Sequence, residues 1–306
     1  MTTPDTSGAK TVLENSADDV GLSSRLGDIW RYRELLVNLT MREIKVKYKN
    51  SVLGIVWTFL NPLLYLAVFS LVFGVILPSG APRYGLLLLS GLQAWNLFSM
   101  GMTAATTSIT GNATLVQKVW FPREILPLSA VGASFVTFWF QMIVLLIGLS
   151  AFRQAPAWDL LPLLIPALLV ALLLGTGLGL LLSAVNVYFR DVQHFLELGV
   201  LTWFWFTPIV YQYDFVARAV TDRWGLGAER LTLLNPMIPV VTTFQRVLYN
   251  PENFDPQVQT DTFGFLMHDG WWFLQNLVIE IGVGLVVLML GFRVFRRLEA
   301  NFGEEL

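Results

Sequence analysis

One row of aromatic and amide residues is the first candidate for a site that handles a ligand. It comprises Trp57, Asn61, Tyr65, Phe69 and Phe73, which recur every four residues. At 3.6 residues per turn, this spacing forms one ridge that drifts about 160° around a helix. The ridge predicts either the lining of a path or a surface that packs against lipid and neighbouring helices.

A second aromatic group is consecutive in the chain: Trp203, Phe204, Trp205 and Phe206. Four consecutive helical residues point all round the helix, so at most two of them can face a common path. The others are then expected to pack against protein or to lie in an aromatic belt at the membrane surface.

The sequence argues against several kinds of chemistry. It contains no cysteine, which excludes thiol catalysis and disulfides, and His194 and His268 lack ligand-like neighbours. The nearest match to a phosphate loop, residues 8–11, has the wrong glycine spacing and follows no strand. We therefore predict no catalytic residue, no metal and no ATP site in this chain, so that energy must come from a partner.

Long runs without charge show which elements carry these residues. Hydrophobic residues make up 55% of the chain and charged residues 14%. Four uncharged runs separate the pairs Lys49 and Arg83, Arg83 and Lys118, Glu124 and Arg153, and Asp159 and Arg190. A hydrocarbon layer about 30 Å thick needs roughly 20 apolar helical residues, so these runs predict an all-α integral membrane protein.

Six spans are predicted, at about 53–77, 86–108, 127–150, 161–184, 195–212 and 272–292. Seven Lys and Arg residues lie between Arg25 and Lys49, just before the first span, which predicts cytoplasmic N- and C-termini in a multi-pass protein. Residues 1–27 are expected to be a disordered cytoplasmic tail without a signal peptide, and 299–306 a cytoplasmic C-terminal tail. Residues 50–298 form the predicted transmembrane domain.

The segment at about 231–250 is apolar, but Pro236 and Pro239 interrupt it and Arg246 lies in its second half. A seventh crossing there would place the C-terminal arginines outside, against the charge rule. We therefore predict re-entrant helices before the last span.

Residues 28–49 predict an amphipathic interface helix. Ile29, Tyr32, Leu36 and Leu39 share one side, which we expect to lie in the lipid headgroups. The basic side carries Arg42, Lys45 and Lys47. It either fixes the membrane topology or contacts a partner.

Residues 109–124 combine bulky apolar side chains with charge. Leu115, Val116, Val119, Trp120 and Phe121 lie beside Lys118 and Arg123. Such a cluster predicts a docking surface or a helix in the headgroup layer. The adjacent Arg190 and Asp191, in the next predicted cytoplasmic turn, form either a local pair or a further partner contact.

Four segments together resemble the permease subunits of type-2 ABC exporters of O-antigen, capsular polysaccharide and teichoic acid. They are REIKVKYKNSVLGIVWTFLNP at 42–62, NATLVQKVWFPREILPLS at 112–129, NVYFRDV at 186–192 and LLNPMIPVVTTFQRVL at 233–248. They occur in the family's order, and the resemblance covers residues 28–298.

The resemblance implies a homodimer in the cytoplasmic membrane of a bacterium, paired with two copies of a separate ATPase that binds ATP and Mg²⁺. It implies export of a lipid-linked glycan, and no nucleic-acid partner. It also implies a coupling helix at about 111–122. The expected ATPase contacts are Arg42, Lys45, Lys47, Val116, Lys118, Trp120, Phe121, Arg123, Arg190 and Asp191.

Sugar rings have apolar faces and hydroxyl edges, so aromatics with polar tips suit a glycan path. Both aromatic groups are therefore candidates to line it. Alternative functions are a type-2 exporter of drugs or lipids and a membrane-embedded glycosyltransferase, although the latter would need clustered acids that the sequence lacks. Glu280, near the middle of the last span, predicts a structural hydrogen bond or proton coupling.

Overall fold

The computed structural model describes residues 27, 30–49, 51, 53–54, 56–76, 80–225 and 228–306. Every regular element within these ranges is a helix, which confirms the predicted all-α class for that part of the chain. The predicted tail, apart from Gly27, lies outside the described residues, as does Ile29.

The α-helices of the described residues are numbered in chain order. They are α1 Arg33–Tyr48, α2 Val56–Leu71, α3 Tyr84–Gly111, α4 Ala113–Lys118, α5 Ile125–Ala151, α6 Leu164–Tyr188, α7 Val192–Trp205, α8 Tyr213–Trp224, α9 Met237–Phe244, α10 Pro256–Phe263, α11 Gly270–Glu299 and α12 Phe302–Glu305. A π-helical turn at Val72–Ile76 extends α2, another at Gln245–Tyr249 extends α9, and a 3₁₀ turn at Trp158–Leu163 precedes α6.

Four stretches are long and apolar enough to cross a membrane: Val56–Ile76, Ile125–Ala151, Trp158–Tyr188 and Gly270–Glu299. They coincide with the predicted first, third, fourth and sixth spans. A chain with several such helices is an integral membrane protein that crosses the bilayer more than once.

The other two predicted spans differ from these four. Helix α3 has 28 residues and is about 42 Å long, but its Ser, Thr, Gln and Asn residues reduce its apolar character. Helix α7 has only 14 residues and is about 21 Å long, which is less than a hydrocarbon layer. The predicted span at 195–212 is therefore helical only to Trp205, and the count of six spans stays a prediction.

Helix α6 packs closely against α3 on one side and α11 on the other. A Cβ atom added to Gly179 would lie 2.7 Å from the Cβ of Ala105 in α3. A Cβ added to Gly177 would lie 2.7 Å from the backbone nitrogen of Leu288, and one on Gly291 would overlap the Gly177 carbonyl oxygen. Small residues thus let three backbones approach, which is how helices associate without a hydrophobic driving force.

The segment from Met237 to Pro251 is buried throughout. Helix α9 has eight residues, about 12 Å, and packs against α3 and α6. The side chain of Arg246 donates to Asn250 Oδ1 at 3.2 Å and pairs with Glu252. Irregular backbone at membrane depth must be enclosed by protein, and this segment meets that condition. Its re-entrant nature stays a prediction.

One end of the bundle, called the α1 end, is held together by a single apolar cluster. The buried members of this α1-end cluster are Leu39, Ile109, Val116, Phe121, Ile125, Leu126, Leu180, Ala184, Val187, Phe292, Phe295 and Phe302. Tyr32 and Leu36 pack against it. Tyr32, Leu36 and Leu39 therefore pack on the protein, because α5 offers them an apolar surface, and the prediction that this side of α1 lies in the lipid headgroups is wrong for these three residues.

At the opposite end, called the loop end, the short connections meet the segment after α9. Gln154 donates to the backbone carbonyl of Tyr249 and accepts from Arg83. The Tyr249 hydroxyl donates to the Pro82 carbonyl at 2.5 Å. These bonds fix the connections at the ends of α2 and α5 to each other.

Candidate transport path and partner surface

The predicted row on α2 faces α3 of the same chain. Trp57, Asn61 and Tyr65 line a cavity of about 190 Å³ whose other walls come from α3 and α5. Trp57 and Tyr65 are nevertheless 43% and 48% exposed, about as much as Leu63 and Leu64 on the neighbouring faces of α2. The row thus borders a partly open cavity, while its role as a channel lining stays a prediction.

A second cavity, of about 310 Å³, adjoins the first towards α7. Tyr65 and Asn96 line both cavities, and Phe69 and Trp95 contribute to the second. Phe69 also stacks on Phe73, with ring centroids 6.0 Å apart and planes inclined by 4°. The last member of the row, Phe73, lines neither cavity and packs against Tyr84.

The consecutive aromatics of α7 have separate environments. Phe204 lines the second cavity. Trp203 donates from Nε1 to Asn235 Oδ1 at 2.8 Å and packs edge-on against Phe98, at 5.0 Å between centroids. Trp205, the last residue of the helix, and Phe206, which follows it, are exposed. One residue of the four therefore faces this cavity, in agreement with the limit set by helical geometry.

A polar wall that the sequence did not predict lies opposite the row. Gln93 and Asn96 of α3 and Gln141 of α5 line the first cavity. Asn96 Nδ2 donates to Gln141 Oε1 at 3.4 Å. The available signal was three amide side chains within uncharged apolar runs, but only the fold shows that they converge.

A third cavity, of about 440 Å³, continues towards the α1 end. Arg42 and Lys47 of α1 line it. Lys47, Met100 and Thr137 are shared with the first cavity. Three adjoining cavities therefore run from the basic side of α1 to the aromatic residues of α7.

The predicted coupling segment is helical over only six residues, in α4. Some of its apolar residues are buried in the α1-end cluster, and others are exposed on the surface. Val116 and Phe121 are buried there, and Phe121 is only 6% exposed. Trp120 is 85% exposed, and Phe189 is 66% exposed. We correct the predicted contact set accordingly: Val116 and Phe121 support this surface from within and do not present side chains to a partner.

The charged members of the predicted contact set are mostly exposed. These are Arg42, Lys45, Lys47, Lys118, Arg190 and Asp191. Arg123 differs, because it donates to the backbone carbonyl of Glu299 and lies 5.8 Å above the ring of Phe302. It ties the coupling segment to the end of α11.

Residues 34–224 match the sequence pattern of the family described as ABC-2 type transporter. That match covers more than half of the chain, from α1 to α8. The chain belongs to the ABC-2 type transporter family. The resemblance seen in the sequence is thereby confirmed, and the chain is a membrane transport subunit whose ATPase is a separate partner.

Curated relatives of this ABC-2 permease carry the name O-antigen export system permease protein RfbA. One, from Myxococcus xanthus, is 34% identical over 224 residues, which is 72% of this chain and 83% of the relative. Two from Klebsiella pneumoniae are 27% and 26% identical over 278 residues, 89% of this chain and 95% of each relative.

Two acidic residues of the permease lie outside these cavities. Glu280 is 5% exposed on α11, and no described residue of the chain supplies the hydrogen bond predicted for it. Asp214, at the start of α8, accepts from the Phe265 N–H at 2.9 Å. Burial raises the pKa of the Asp214 carboxyl, and the Phe265 bond and Arg218 oppose that rise. The described residues contain no group of His, Asp or Glu that could hold a metal.

Proposed function

We propose that this ABC-2 permease exports a lipid-linked O-antigen polysaccharide across the cytoplasmic membrane of a bacterium. ATP and Mg²⁺ would be bound by the separate ATPase. The observation that carries the proposal is the similarity to relatives named O-antigen export permeases over 89% of the chain. The aromatic row beside adjoining cavities supports a glycan as the transported molecule.

The glycan path follows the three adjoining cavities. Trp57, Tyr65, Phe69 and Phe204 provide flat apolar surfaces for sugar rings, and the Tyr65 hydroxyl adds a polar tip. A surface of this kind lets a chain slide, because each ring exchanges one aromatic contact for the next. Two copies of the permease would enclose the path, with α2 and α7 of each copy at the seam. These helices have few fully buried residues.

Coupling to the ATPase uses the exposed residues of the α1 end. Trp120 and Phe189 supply apolar anchors, and Lys118 and Arg190 supply charge beside them. Aromatic and arginine side chains at an interface carry a large share of its binding energy. Closure of the ATPase dimer would push this surface, and the α1-end cluster would pass the displacement to α1 and α11.

The proposed topology has six spans, with α3 and the extended α7 region as the second and fifth. Both termini are cytoplasmic, and residues 231–250 are re-entrant from the outer side. This arrangement places the α1 end in the cytoplasm, where the ATPase is.

The proposal is tested by deleting the gene in its own bacterium and restoring it on a plasmid. The deletion strain is expected to lose surface O-antigen and to accumulate it inside, and the wild-type chain is expected to restore the surface polymer. The purified chain alone is expected to hydrolyse no ATP, and hydrolysis is expected only with the ATPase subunit.

Unchanged surface O-antigen in the deletion strain would contradict the proposal. Altered drug resistance or altered surface lipid in the same strain would favour the alternative cargo. ATP hydrolysis by rigorously pure permease would contradict the assignment of energy supply to a partner.

A further inference from the structure

Four carboxamide side chains converge on the first cavity from three helices. They are Asn61 of α2, Gln93 and Asn96 of α3, and Gln141 of α5. Each lies within a run that carries no formal charge. A polar group in an apolar layer is costly unless it is hydrogen-bonded, so four amides around one cavity indicate a space made for polar contact.

The amides do not satisfy one another. Asn96 bonds Gln141 at the long distance of 3.4 Å. Gln93 is 2% exposed, and its Oε1 has no hydrogen-bond partner among the described residues. A buried acceptor left unpaired is destabilising, and a donor brought into the cavity would remove that cost. The cavity therefore matches a ligand that supplies O–H or N–H donors.

The facing wall restricts the shape of that ligand. Trp57 and Tyr65 present rings to the same cavity, about 190 Å³ in volume. Among the described residues that line it, Lys47 alone is charged. An acyl chain would leave the amides unpaired, and a cationic molecule would meet no carboxylate. A ring with one apolar face and a hydroxyl edge satisfies both walls, as sugar rings do.

We propose that Gln93, Asn96 and Gln141 form a sugar-binding subsite, in which they hold the hydroxyls of one ring of the passing glycan against Trp57 and Tyr65. The subsite rests on the proposed function and adds specificity to it. The aromatic wall accepts any sugar face, whereas the amide wall distinguishes where the hydroxyls lie. The amides would select which polysaccharide this permease accepts.

The test places a reporter beside the amides. Met100 lines the first and third cavities, and the chain has no native cysteine, so Met100→Cys gives a single thiol. The permease is purified with its ATPase in nanodiscs and labelled with N-ethylmaleimide. The probe is O-polysaccharide of the same bacterium, released from its lipid by mild acid. We expect saturating polysaccharide to slow labelling at least about tenfold.

Gln93→Leu and Asn96→Leu, each made in the reporter protein, are expected to raise the polysaccharide concentration for half-protection roughly fivefold to tenfold, the effect of one lost hydrogen bond. Ser90→Ala is the matched control. Ser90 is buried on the same helix and lies outside the cavity lining. Its hydroxyl donates to the backbone carbonyl of Leu86 at 2.8 Å. It should leave half-protection unchanged. If Gln93→Leu fails to assemble with the ATPase, the half-protection concentration of Asn96→Leu tests the subsite in its place.

Unchanged half-protection in the assembled leucine variants would overturn the subsite. Equal protection by a short-chain phosphatidylglycerol would assign the cavity to lipid and would also overturn it. These failures differ from failure of the proposed function. If the wild-type gene restores surface O-antigen but polysaccharide does not protect Met100→Cys, only the subsite is wrong. If surface O-antigen never depends on the gene, the exporter assignment is wrong.

Discussion

Replacement of Gly291 by alanine tests the close contact between α6 and α11. The added Cβ would overlap the Gly177 carbonyl oxygen and would lie 3.0 Å from its carbonyl carbon and 3.2 Å from its Cα. All three obstacles are backbone atoms, so no side chain can rotate away and the two helices must separate. Gly282 provides a matched control on the same helix, because a Cβ there would meet nothing within 4 Å.

The expected magnitude follows from two opposing effects. Overpacking costs about 1–3 kcal/mol, and backbone on both sides places Gly291→Ala near the upper value. Alanine is favoured over glycine in a helix by about 1 kcal/mol, which both variants gain. We therefore expect Gly291→Ala to lose about 2 kcal/mol of unfolding free energy and Gly282→Ala to gain about 1 kcal/mol.

The measurement is equilibrium unfolding of the purified chain in mixed micelles, with increasing sodium dodecyl sulfate. The difference of about 3 kcal/mol between the two variants is the quantity of interest, since both change the same residue type in the same helix. Equal stability of the two proteins would refute the close contact of α6 and α11. A larger loss for Gly282→Ala would refute the assignment of the buried face.

Three further predictions concern the surface, the path and pH. Trp120→Ala should abolish co-purification with the ATPase at unchanged stability, whereas Phe121→Ala should lose about 3–5 kcal/mol of unfolding free energy, as buried phenylalanines do; the reverse pattern would contradict the division of this segment. A cysteine at Tyr65 should react with a membrane-impermeant thiol reagent only during ATP turnover, and one at Leu64 in no state; equal labelling would contradict the path. Burial raises the pKa of the Asp214 carboxyl, so the native state holds this proton more tightly than the unfolded state does. The stability that this group contributes is therefore lost as the pH rises from about 4 through the raised pKa. Asp214→Asn should remove this pH-dependent loss of stability in thermal unfolding curves.

The runs without charge predicted the membrane-spanning helices that can be recognised from apolar length alone. The spans that contain α2, α5, α6 and α11 follow from apolar length. The end of α7 could also have been anticipated, because Pro208 disfavours helix at Thr207. What the sequence could not give is which helices pass close to each other, since Gly177 reads the same whether it faces lipid or Leu288.

The candidate site was predictable to a similar extent. The period of four placed the α2 row on one side, and that side does face a cavity. The division between Trp120 and Phe121 was not predictable, because a docking surface and a core draw on the same apolar residues. The amide wall required the convergence of α3 and α5, which no local pattern encodes.

The glycine contacts also divide the bundle by stiffness. Helices α3, α6 and α11 approach one another closely at glycines, and such packed interfaces deform only in discrete steps. We therefore expect these three helices to move together. Helix α2 buries only Thr58 and Pro62, and α7 buries no residue fully, so the compliant parts lie on one side of the cavities. If the cavities form the proposed glycan path, one stiff wall and one compliant wall would let it widen for a branched sugar and close behind it while the packing of α3, α6 and α11 stays intact.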